Sequence, residues 1–146
     1  MKKLTEAWFR QAQDDYLMAQ KAIEIELYRQ VCFHSQQCAE KALKAMMLEE
    51  GKRIKRVHDL LELSKDVESL SLSLAASTEE LAFLNQVYRF RYPPDIGLLP
   101  HGEPIKEDAQ KALEIAGRVF EQVRKTLGAK TTSLPREDDQ LHAGDG

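Results

Sequence analysis

The chain has 146 residues, 42% of them hydrophobic and 31% charged, which fits one domain with an ordinary core and excludes a disordered chain or a multidomain machine. Its 24 acidic and 21 basic residues leave a formal net charge of -3, so bulk charge gives no attraction to nucleic acid and any polyanion site must be local. No apolar run approaches the roughly 20 residues that cross a bilayer, and the charged start Met1-Lys2-Lys3-Leu4-Thr5-Glu6 lacks the apolar core of a secretory signal, so a cytoplasmic protein is expected.

Thr5-Glu6 suits a helix start, and Trp8, Ala12, Ala19 and Ile23 recur at helical spacing to about Glu26, with Leu27-Tyr28 as the connection. A second helix is expected from about Arg29 to Glu50, stopped by Gly51. Its Val31, Ser35, Cys38, Ala42 and Ala45 form a stripe of small residues that lets a neighbouring helix approach closely, while Phe33, Met47 and Leu48 project from other sides. A helix apolar on more than one side is central in its bundle or shared with a second subunit. Gly51 to Val57 is a short basic connection carrying Lys52, Arg53, Lys55 and Arg56. A third helix begins near Asp59 with Leu60, Leu61, Leu63 and Val67, and the stretch Glu68 to Ala76 reads equally as more helix or as turn.

Ser77-Thr78-Glu79-Glu80 is an N-cap signal for a fourth helix, whose face is Leu81, Leu84, Tyr88 and Arg91 and which Pro93-Pro94 ends. Asp95 to Pro104 reads as loop. Ile105, Ala109, Ala112, Ala116, Val119, Val123 and Leu127 then trace an amphipathic last helix closed by Gly128. The sparse apolar residues of 129–146 predict a flexible tail beyond a domain at 1–128. With no strand alternation and no repeat, the expected fold is an all-α, antiparallel up-and-down bundle of four to five helices.

Cys32 and Cys38 lie far apart around one helix, the wrong geometry for a bridge, and read as buried thiols. His34, His58, His101 and His142 are scattered, and no phosphate-cradling glycine loop, His-Glu-x-x-His pair or nucleophile elbow occurs, so no metal or cofactor is expected. Arg91 follows Leu84 and Tyr88 on an apolar face, and its guanidinium needs an acceptor. Asp15, between Ala12 and Ala19 on an inward stripe, is the matching anomaly, with Glu40 a second acceptor. A buried network of Asp15, Glu40, Lys41 and Arg91 that fixes helix register fits these residues, and so does a ligand site, because the arginine fork that binds carboxylate also binds phosphate.

Lys41 and Lys44 read as a solvated helix face, with Glu40 to Lys44 a favourable pair one turn apart. The basic residues 52–56 just beyond that helix make one positive end, suited to the phosphates of a nucleotide or RNA. Trp8, Phe9 and Tyr16 read as core or subunit contact rather than base-stacking groups.

Gln36-Gln37-Cys38-Ala39-Glu40-Lys41-Ala42-Leu43-Lys44, then His58-Asp59-Leu60-Leu61, then Tyr88-Arg89-Phe90-Arg91-Tyr92-Pro93-Pro94-Asp95 together resemble the HEPN family, over about Glu6 to Leu127. The resemblance implies a helical bundle, usually a homodimer, similar to the substrate-binding subunits that partner minimal nucleotidyltransferases, with some members acting as toxins of toxin-antitoxin pairs. Members that cleave RNA carry an arginine with a histidine a few residues on, paired across two subunits. Arg91 matches that arginine, the window Ile96 to Leu98 holds no histidine, and His101 falls beyond it.

The resemblance therefore implies a non-catalytic subunit that binds a nucleotide or partner. The alternatives are a metal-independent endoribonuclease using Arg91 with His101 or another histidine, and a structural interaction module. Arg53 and His58 have the nuclease spacing but stand before the third helix, where His58 is expected to hydrogen-bond a neighbouring backbone or carboxylate group. With Tyr92 and Asp95 beside Arg91, the expected ligand or polar set is Asp15, Glu40, Lys41, Lys44, His58, Arg91, Tyr92 and Asp95.

Overall fold

Five helices occupy the residues that the computed structural model describes, 1–89 and 102–130: α1 (Lys3–Glu24), α2 (Tyr28–Glu49), α3 (Leu60–Glu68), α4 (Thr78–Tyr88) and α5 (Lys106–Lys130). There is no strand among the described residues, and the helices pack as an all-α bundle in which α2 contacts each of the other four. None of these helices is long and apolar enough to cross a membrane.

Local chemistry sets the helix ends. α1 starts at Lys3, ahead of Thr5, whose side chain is buried and caps nothing. The chain turns after Glu24, with Glu26 in the left-handed region at φ 60, so the connection is Ile25 to Leu27 rather than Leu27-Tyr28, and Tyr28 already belongs to α2. At the far end of α2, Gly51 takes φ 77, its N–H bonds to Leu48 at 3.0 Å and the next N–H, of Lys52, returns to Met47 at 2.9 Å, a glycine stop that satisfies the last carbonyls. Asp59 caps α3 by accepting from Leu61 N at 2.9 Å.

Ser77 and Glu80 form a reciprocal capping box at the start of α4. The ambiguous stretch after Glu68 is turn, held against α5 by Gln122, which accepts from Ala75 N at 2.7 Å, and by Arg118, which donates to Ala75 O at 2.8 Å. α5 runs on through Gly128 to Lys130, so that glycine does not close it. The expected tail from 131 onwards lies outside the described residues.

The small residues of α2 do what their size permits: Val31, Ser35, Cys38, Ala42 and Ala45 are all 0% exposed. α1 and α5 meet through an aromatic ladder, Phe9 stacked on Phe120 at 5.0 Å and Phe120 on Tyr16 at 5.4 Å, which assigns those rings to the core. The apolar sides of α2 are used within the chain: Met47 is buried, and Phe33 stacks on Tyr88. The large apolar side chains left in water among the described residues stand instead mostly along α1 and the turn after it.

Candidate functional site

Glu40, 3% exposed on α2, is the centre of one polar cluster. Its Oε1 lies 2.8 Å from His58 Nδ1, and its Oε2 accepts from Lys44 Nζ at 3.0 Å. Gln36, one turn earlier on the same helix and fully buried, donates to the His58 carbonyl at 2.8 Å. Asn85 of α4 accepts from Leu60 N at 3.1 Å and donates to Asp59 at 2.9 Å. The end of the basic connection is thus pinned at the His58 ring, at its carbonyl and at the next turn. Even so, the His58 side chain is 60% exposed. An ionised carboxylate only accepts, so Nδ1 carries the proton towards Glu40, and Nε2 of the neutral ring is an acceptor that bonds nothing among the described residues.

A second cluster repeats the plan between α1 and α2. Asp15 Oδ1 lies 2.8 Å from His34 Nδ1, and Asp15 Oδ2 accepts from Lys41 Nζ at 2.7 Å. Here the imidazole is largely covered, its side chain 18% exposed. A row of rings joins the two clusters: His34 edge-on to Phe33 at 5.0 Å, Phe33 stacked on Tyr88 at 5.7 Å, and Tyr88 beside His58 at 5.8 Å.

Of the expected network of Asp15, Glu40, Lys41 and Arg91, the described residues place Asp15 with Lys41 and Glu40 with Lys44 in two clusters, each of which includes a histidine. Lys44 does not stand on a solvated face: it is 4% exposed, with its Nζ 5.5 Å from the centre of the Trp8 ring. Arg91, Tyr92, Asp95 and His101 lie outside the described residues. His34, Gln36 and Asn85 were not singled out in the sequence. Gln36 and Glu40 are one turn apart on α2 and His34 and Lys41 two turns apart, so the shared faces were readable; that Asp15 meets the second of them depends on the α1–α2 packing.

The basic connection is exposed at Lys52, Arg53, Lys55 and Arg56. Lys55 is tied back to α3 by Asp66 at 3.0 Å and Glu62 at 3.6 Å, and its hydrogen bond to Asp66 holds the ammonium above the usual lysine range. Lys52, Arg53 and Arg56 make no ion pair among the described residues. The connection thus offers three cations with no ion pair among the described residues and ends at an oriented imidazole.

The two cysteines are closed to thiolate chemistry. Burial pushes the Cys32 thiol up to about 12 and raises Cys38 further still, so neither is a thiolate near neutral pH. No group of three or more His, Cys, Asp or Glu among the described residues is arranged to hold a metal ion.

No curated protein matches the chain. Among solved structures, TT1696 from Thermus thermophilus superposes with a TM-score of 0.64 at 24% identity, covering 85% of this chain and 98% of its own. ST0689, described as an archaeal HEPN homologue, gives 0.61 at 27% identity over 86% and 98%. The HEPN domain protein tm0613 from Thermotoga maritima gives 0.60 at 20% identity over 84% and 98%. The likeness to the Thermus and Thermotoga proteins is one of fold. The HEPN domain model itself matches residues 5–126, which takes in both polar clusters, the basic connection and the bulk of all five helices, and the chain belongs to the HEPN domain family.

Proposed function

We propose that this HEPN-domain protein binds the phosphate of a nucleotide, or of RNA, at the end of α2. It acts as a homodimer beside a separately encoded minimal nucleotidyltransferase, in a toxin-antitoxin-like pair. One observation carries the reading: His58 is held at ring and carbonyl by buried Glu40 and Gln36, yet its side chain stays 60% exposed at the end of the connection that carries Lys52, Arg53 and Arg56. A surface histidine with no task has no reason to be fixed so firmly, because ordering a side chain carries an entropy cost. Cations on a short connection, opposite an imidazole that can also donate when protonated, suit a phosphate better than an apolar ligand.

The test is calorimetric titration with AMP, ATP and a short single-stranded RNA. The reading expects binding that weakens steeply with salt and disappears in a Lys52/Arg53/Arg56→Ala triple variant. Binding indifferent to both salt and the triple substitution would reject it.

A second reading, a metal-independent endoribonuclease, is favoured by the same imidazole. A histidine oriented by a carboxylate through Nδ1 has Nε2 available for proton transfer to or from a ribose hydroxyl or a leaving oxygen. Incubation with RNA in the presence of EDTA separates the two, since the leading reading expects intact RNA and the second expects cleavage lost in His58→Asn.

A further inference from the structure

The exposed residues of α1 fall on three adjacent lines at seven-residue spacing. The central line carries Asp14 and Lys21. One flank carries Arg10, Leu17 and Glu24, and the other Gln11, Met18 and, just past the helix end, Ile25. Leu17 is 41% exposed, Met18 53% and Ile25 66%, a run of large apolar side chains that none of the described helices covers.

We propose that this face docks a second copy of the chain, with the two α1 helices antiparallel and the two-fold axis passing beside Leu17 and Met18. In such a pair each line meets its own counterpart running in reverse. Leu17 then rests on Leu17 and Met18 on Met18 of the second copy. Asp14 stands opposite Lys21, Arg10 opposite Glu24 and Gln11 opposite Ile25. Symmetry doubles every charge pair, giving an apolar centre ringed by matched charges.

The charges select this arrangement over its competitors. A parallel pairing sets Asp14 on Asp14 and Lys21 on Lys21 along the central line. An antiparallel register slipped by one heptad sets Asp14 against Asp14 and leaves Lys21 opposite Ala7. Both meet like charges where the proposed register meets unlike ones. Asp14 has no ion-pair partner within the chain among the described residues. Arg10 and Lys21 have only exposed pairs within α1, to Glu6 at 2.9 Å and Glu24 at 3.6 Å, and such pairs exchange partners at little cost.

The inference rests on the dimeric part of the function proposed above and is independent of the ligand. Sedimentation of native protein and of the Asp14→Lys and Lys21→Glu variants tests it. Both positions are exposed, so both variants keep the native melting curve. Native protein sediments as a dimer, and each variant alone self-associates about tenfold more weakly. An equimolar mixture of the two variants regains native affinity, because in the mixed dimer both contacts again join opposite charges. A native dimer whose variants associate like the parent, or whose mixture fails to recover, overturns this interface and leaves the dimer standing on another surface. A native monomer at micromolar concentration overturns the dimer itself.

Discussion

Glu40 shares its two oxygens between His58 and Lys44 while almost wholly out of water, and that sharing makes it expensive to disturb. Removing the carboxylate in Glu40→Ala strands the Lys44 ammonium, 4% exposed, and is expected to lower unfolding stability by about 3 to 5 kcal/mol in urea titration. Glu40→Met with Lys44→Met removes both charges at similar volume and recovers most of that loss, since a buried pair contributes little beyond what an apolar replacement does. His58→Asn, at a side chain 60% exposed, leaves stability nearly unchanged while removing the imidazole from the site.

The i,i+4 relation of Glu40 and Lys44 was plain in the sequence, but their burial was not. Helical spacing says which side chains are neighbours on α2, and only the packing of Trp8 from α1 over Lys44 says that this face is dry. Asp15 was legible as an inward carboxylate because Ala12 and Ala19 flank it. Lys41 was named with it, but its other partner His34 was not, since nothing local to α1 sets the register against α2.

Among the helices, the connection from α3 to α4 depends on α5. Arg118 grips both the Ala75 carbonyl and the Glu80 carboxylate, and Glu80 also closes the capping box of α4. The hydrogen bond from Arg118, helped by the Ser77 backbone N–H, holds the Glu80 carboxyl down to about 2 from its ordinary 4.5. A carboxylate whose pKa is depressed on folding adds stability that is complete above the ordinary value and is lost as pH falls through the depressed one. Thermal melts should therefore lose stability between about pH 4.5 and pH 2, and Glu80→Gln should flatten that decline.

α5 also carries two glycines with opposite expectations. A Cβ on Gly117 would stand 3.0 Å from the Tyr16 hydroxyl, and the Tyr16 ring is held by its stack on Phe120. Gly117→Ala is expected to cost about 1 kcal/mol in urea unfolding, overpacking outweighing the gain in helix propensity. Nothing lies within 4 Å of a Cβ at Gly128, so Gly128→Ala should be neutral or stabilising. This contrast explains why Gly128 misleads in the sequence: glycine marks a helix end only where the backbone turns left-handed, as at Gly51 with φ 77, whereas α5 continues through Gly128 to Lys130. The capping box at Ser77 and the cap at Asp59 were readable because their chemistry is local.

For the whole molecule, an acidic chain of net charge -3 sets three cations with no ion pair among the described residues and one oriented imidazole beyond one end of its central helix, while the exposed apolar side chains of the described residues stand mostly along α1 and the turn after it. The bundle was legible from periodicity. The position of the apolar surface was not, because Met47 on α2 looks outward in a helical projection and is buried once α2 becomes the helix every other one touches. The proposed ligand site and the proposed self-association face use different residues, so the Asp14→Lys and Lys21→Glu variants should bind ligand like the parent monomer for monomer. The most direct test of phosphate capture is a heteronuclear NMR titration of native protein with ATP in EDTA, following the His58 ring nitrogens and the amides of 52–58. The account predicts that His58 Nε2 and these amides shift together and saturably, with the His34 ring unmoved. Shifts confined to other parts of the bundle, or no saturable shift at His58, would contradict it.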